Sequence, residues 1–106
     1  MPEPLIQQNQ IIPLLSPNCT LATVGTAAAA VVAANPTRRG LSFSNPSSTA
    51  TIYLAPLGVA LSAGLGVPLL PGATQAFQAG GNFQINCGWQ AVASAASSPL
   101  TILEFV

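Results

Sequence analysis

Residues 41–54 read Leu41-Ser42-Phe43-Ser44-Asn45-Pro46-Ser47-Ser48-Thr49-Ala50-Thr51-Ile52-Tyr53-Leu54. The first four residues alternate apolar and polar, as a strand with one buried face must. Asn45-Pro46-Ser47-Ser48 is a turn cluster, in which proline presets φ and asparagine and serine bond their own backbone. Thr51 to Leu54 is rich in β-branched and aromatic residues and reads as a second strand. Together the two runs predict a β-hairpin.

The pattern continues on both sides. Upstream, Asn35-Pro36 marks a turn. Ala27 to Ala34 mixes helix-favouring alanine with the strand-favouring pair Val31-Val32, and lacks the length and caps of a helix. It reads as a strand, preceded by a weaker one from Thr20 to Thr26. Downstream, Ala55 to Gly66 is a glycine-rich connection. Val67 to Leu70 leads into the turn Pro71-Gly72, and Ala73 to Ala79 reads as a strand with Phe77 inward. After Gly80-Gly81, Asn82 to Asn86 alternates with Phe83 and Ile85 on one face. Trp89 to Ala93 and Leu100 to Val106 complete the series around a loop at Ser94 to Ser98. Seven to eight short strands at this spacing predict an all-β fold, a compact antiparallel β-sandwich or β-barrel over residues 19–106. The expected core is Leu41, Phe43, Ile52, Leu54, Phe77, Phe83, Ile85, Trp89, Val92, Ile102 and Phe105.

Residues 1–18 differ from the rest. Pro2, Pro4, Pro13 and Pro17, with Gln7, Gln8 and Gln10 between them, predict an extended N-terminal arm. Ile11, Ile12, Leu14 and Leu15 would be bare on such an arm and need a surface to lie against. The start MPEPLIQQNQ has no basic region and no continuous apolar run, and is read as no signal peptide.

Composition narrows the function. Of 106 residues, 50% are hydrophobic and only 4% are charged, against about 25% charged in ordinary domains. The charges are Glu3, Arg38, Arg39 and Glu104, and no histidine is present. No basic footprint exists for nucleic acid. Serine, threonine and cysteine have no histidine or lysine to activate them. Glu3 and Glu104 show no convergent placement for acid–base work. Two cysteines without histidine fall short of a zinc site, and two carboxylates fall short of a calcium site. The expectation is a non-enzymatic protein without cofactor or metal.

Residues 54–73 are apolar enough for a membrane span but hold three prolines and four glycines, which oppose a helix; no membrane association is expected. Cys19 and Cys87 could form one disulfide, but two small buried thiols are the favoured reading, since cytosolic bridges are rare. Trp89 and Tyr53 are candidates for a sugar-stacking platform, with core positions as the competing reading. Arg38 and Arg39 read as a solvated turn or as charges that orient a partner. Glu104 reads as an outward strand residue or as an internal partner for one of the arginines.

The stretch Ala33-Ala34-Asn35-Pro36-Thr37-Arg38-Arg39-Gly40-Leu41-Ser42-Phe43-Ser44-Asn45-Pro46-Ser47-Ser48, with Ala50 to Ala55 and Gly66-Val67-Pro68-Leu69-Leu70-Pro71-Gly72, resembles small structural proteins of tailed bacteriophages. The resemblance covers about residues 23–106 and leaves out the arm. It implies a β-sandwich or barrel virion component, such as a capsid decoration (cement) protein or part of a head fibre. The expected partners are the major capsid protein and further copies of the chain, as a homotrimer or homodimer. The expected place is the outer capsid surface. Ile11, Ile12, Leu14 and Leu15 are the expected anchors, and Arg38 and Arg39 the orienting charges. A receptor- or glycan-binding module of a fibre or tail is the alternative.

Overall fold

The computed structural model describes residues 17–78 and 85–106. Eight strands occur there: β1 (Pro17–Val24), β2 (Ala29–Val32), β3 (Gly40–Ser44), β4 (Ile52–Pro56), β5 (Val67–Leu69), β6 (Thr74–Gln78), β7 (Trp89–Ala93) and β8 (Ser98–Phe105). They form two antiparallel four-stranded sheets, β1-β8-β3-β6 and β2-β7-β4-β5. The all-β sandwich expected from the alternation is the fold found. Its strand order is that of an eight-stranded jelly roll, with successive strands mostly crossing from one sheet to the other.

That crossing corrects one expectation. β3 and β4 are not a hairpin. β3 pairs with β6 and β8, whereas β4 pairs with β5 and β7. Period-2 alternation shows that each strand has one buried face, but both faces are buried against the same core from opposite sides. The connecting residues 45–51 step between sheets, and Asn45 holds that step. Its side-chain amide is buried and donates to Ala50 O (2.8 Å) and Leu69 O (2.9 Å), while its Oδ1 accepts from Ser47 N (3.1 Å). Gly72 N donates to Asn45 O (2.8 Å), so the same residue ties the β5–β6 turn to the crossing loop.

Aromatic stacking joins the sheets. The Trp89 ring on β7 stacks on Phe77 of β6 at 4.9 Å between centroids and lies 5.6 Å from Phe43 of β3. Leu41, Ile52, Leu54, Leu69, Leu100 and Ile102 fill the space around them. Val24, Leu69 and Leu100 belong to the core though sequence reasoning passed over them; Phe105, expected inside, is half-buried instead. It sits at the outer side of β8, where alternation from Leu100 and Ile102 must place it. Phe83 lies outside the described residues.

Residues 54–73 form the end of β4, a loop, β5 and a turn. Among the described residues no helix is long and apolar enough to cross a membrane. Gly66 requires its residue type: its φ is +112° and a Cβ there would lie 2.8 Å from Leu54 O.

Candidate interaction face

The two arginines have opposite fates. Arg38 follows an Asx turn in which Asn35 Oδ1 accepts from Thr37 N (3.0 Å) and Thr37 Oγ1 (2.8 Å). The turn swings the Arg38 side chain inward, where it is 0% exposed. Its Nε donates to Glu104 Oε2 at 2.8 Å. Its Nη1 donates to the carbonyls of Ile85 and Cys87, and its Nη2 to that of Ala33. One planar guanidinium thus ties the β2–β3 loop, the approach to β7 and the C-terminal strand together, which suits its fixed fork of donors. Asn86 reinforces this closure, its amide donating to the carbonyls of Asn35 and Arg38, both at 3.1 Å.

Arg38 therefore faces no partner, which corrects the expectation of an orienting external charge. The physical reason is local. Glu104 lies on the inward side of β8, 15% exposed, where a carboxylate needs a cation beside it. Of the two readings left open for Glu104, the internal ion pair is the one found. Arg39 points the other way and is exposed. The expected anchors Ile11, Ile12, Leu14 and Leu15 lie outside the described residues.

Trp89 is fully buried, so it offers no sugar platform with Tyr53, which is half-buried on the outer side of β4. No disulfide links Cys19 to Cys87. Cys19 is exposed on β1, and Cys87 packs against the core. Among the described residues no group of three or more cysteine or carboxylate side chains could hold a metal.

The outward face of the β1-β8-β3-β6 sheet is uncharged, in keeping with a sequence that holds four charged side chains in all. Strand register aligns Leu21, Thr101, Ser44 and Thr74 in one row. Cys19, Leu103, Ser42 and Ala76 form the next, and Phe105, Gly40 and Gln78 the third. None of these residues is charged. The solvated face of an antiparallel sheet ordinarily carries polar and charged side chains. Here Leu21 is 71% exposed, and Leu103 and Phe105 are half-covered. At one end the face sinks into a groove of about 410 Å³ lined by Arg39, Gly40, Ser42, Ala76, Gln78 and Phe105. Gly40 shapes it, because a Cβ there would press on the Phe105 ring at 3.3 Å from Cδ2. Sequence reasoning missed this face because it depends on which strands are neighbours.

The strand order defines a jelly-roll domain. No protein-family model and no curated protein matches the sequence. Among solved structures, one from a study reporting that Bacillus endospore appendages form a family of disulfide-linked pili matches at 15% identity and a TM-score of 0.49. The match covers 87% of this chain and 86% of that one.

Proposed function

We propose that this chain is a structural subunit that docks on a protein shell, as a decoration (cement) protein on the outer surface of a bacteriophage capsid. The observation that carries the reading is the uncharged outer face of the β1-β8-β3-β6 sheet. Strands spaced ~4.8 Å apart with ~3.4 Å per residue give it roughly 400 Å² in projection. A specific interface takes about 800 Å² from each partner. The sheet face alone supports a weak contact. Each buried apolar Å² contributes about 25 cal/mol, and many copies on one shell repeat the gain. The sequence resemblance supplies the phage assignment, and the scarcity of charge fits a protein whose surface is covered in its working state.

The test is binding of purified protein to major-capsid shells that lack it, read as occupancy and as shell melting temperature. Saturable binding that raises shell melting is expected, weakened by Leu21→Arg on the sheet face. A well-folded protein that leaves shells bare would overturn the reading and direct attention to receptor or glycan binding.

A further inference from the structure

The chain carries four charged side chains, Glu3, Arg38, Arg39 and Glu104. Arg38 and Glu104 satisfy each other inside the domain. That leaves Arg39, exposed at the rim of the groove, and Glu3, in the segment that precedes β1. We propose that the groove receives the N-terminal segment of a second copy of this chain, with Glu3 on Arg39 and Leu5 against Ala76 and Phe105.

Reach selects a second copy over the chain's own segment. Arg39 N donates to Phe105 O at 2.7 Å, and Phe105 pairs with Pro17, where the described chain begins. Two strand spacings therefore put Arg39 about 10 Å from its own Pro17. Glu3 precedes Pro17 by 14 positions, which spans about 46 Å in an extended chain. Pro2, Pro4 and Pro13 favour extension, and residues 1–16 contain no glycine to ease a reversal. Fully extended, such a segment would overshoot its own groove.

The chemistry of the segment fits its receptor. In an extended chain Glu3 and Leu5 share a side, about 6.8 Å apart. With the carboxylate on the guanidinium at the rim, Leu5 meets the uncharged floor. Donor and receiver are different surfaces, so each copy gives one segment and accepts another. Such a head-to-tail contact closes into a ring or runs on as a filament. The inference concerns copy-to-copy contact and does not depend on which particle the subunit joins.

The experiment is sedimentation velocity of the full chain over a concentration series at low salt, without any shell, with tryptophan fluorescence of Trp89 confirming the fold of each variant. Concentration-dependent oligomers are expected. Glu3→Arg and Arg39→Glu should each weaken association about fivefold, the scale of one exposed ion pair. The double exchange should return affinity to within about twofold of the unmodified chain, because attraction is restored with the signs reversed. Ala76→Arg, at an exposed position in the groove, should weaken association more than tenfold, since it sets a charge against Leu5. A chain that stays monomeric at every concentration overturns the proposal. So do single variants that associate like the unmodified chain, or a double exchange no better than either single one. Shell binding is a separate readout, so failure here leaves the docking proposal standing, and the reverse also holds.

Discussion

Replacing Arg38 by alanine should unfold this domain at a much lower denaturant concentration. The guanidinium is 0% exposed and meets the Glu104 carboxylate at 2.8 Å, with Glu104 itself 15% exposed. Removing one partner of a buried pair costs about 3–5 kcal/mol, because the other charge is left uncompensated. Here the three carbonyls of Ala33, Ile85 and Cys87 lose their donor as well. Glu104 retains the Asn35 amide at 3.4 Å and some water access, which holds the cost near 3–4 kcal/mol. With a urea slope of about 1–1.5 kcal/mol per M for a small domain, the midpoint should fall by roughly 2–4 M at unchanged slope. Glu104→Ala should cost less, about 1–3 kcal/mol, because Arg38 keeps its carbonyl acceptors. The double variant should show coupling of about 1 kcal/mol or more. The measurement is equilibrium urea unfolding followed by Trp89 fluorescence. An Arg38→Ala loss below about 1 kcal/mol would refute the reasoning, since that is the worth of an ordinary surface pair.

Three further outcomes follow from the same geometry. Asn45→Ala should destabilise by about 1–3 kcal/mol in urea titration, because the carbonyls of Ala50 and Leu69 lose buried donors. Gly66→Ala should lower the melting temperature far more than Gly72→Ala; both have positive φ, but a Cβ at 66 lies 2.7 Å from Leu61 Cδ1 whereas at 72 nothing lies within 4 Å. Phe43→Ala should cost about 3–5 kcal/mol in thermal or chemical unfolding, as it leaves a cavity beside Trp89 and Phe77 where the two sheets meet.

Strand existence was legible in the sequence where alternation was clean. Trp89 to Ala93 is β7 itself, Leu41 to Ser44 lies within one residue of β3, and Thr51 to Leu54 within two of β4. The alanine-rich stretch is a strand too, over the shorter span Ala29–Val32, with a register shift between Ala30 and Val32. Strand partnership was not legible. The turn signal at Asn45 is real, yet nothing local distinguishes a hairpin from a step between sheets; the deciding contact is Asn45 with Leu69, far along the chain. The same limit hid the interaction face, whose rows draw Cys19, Leu103, Ser42 and Ala76 from four separate strands. Arg38 and Arg39 are adjacent and chemically alike, so their opposite placement is set by the Asn35 turn and by Glu104.

The C-terminal strand β8 lies inside its sheet, between the N-terminal strand β1 and β3. Synthesis and folding are therefore out of step. While a chain emerges from the ribosome, β2, β4, β5 and β7 can meet one another before β8 exists, but β1 has no neighbour on its own sheet until β8 arrives. Closing that pair spans nearly the whole chain, the kind of distant contact that slows folding. A nascent chain released early would carry an unpaired β1 and a detached β3–β6 pair, and would have no Glu104 to receive Arg38. The continuous outer face of the β1-β8-β3-β6 sheet therefore forms only once β8 has joined β1 to β3.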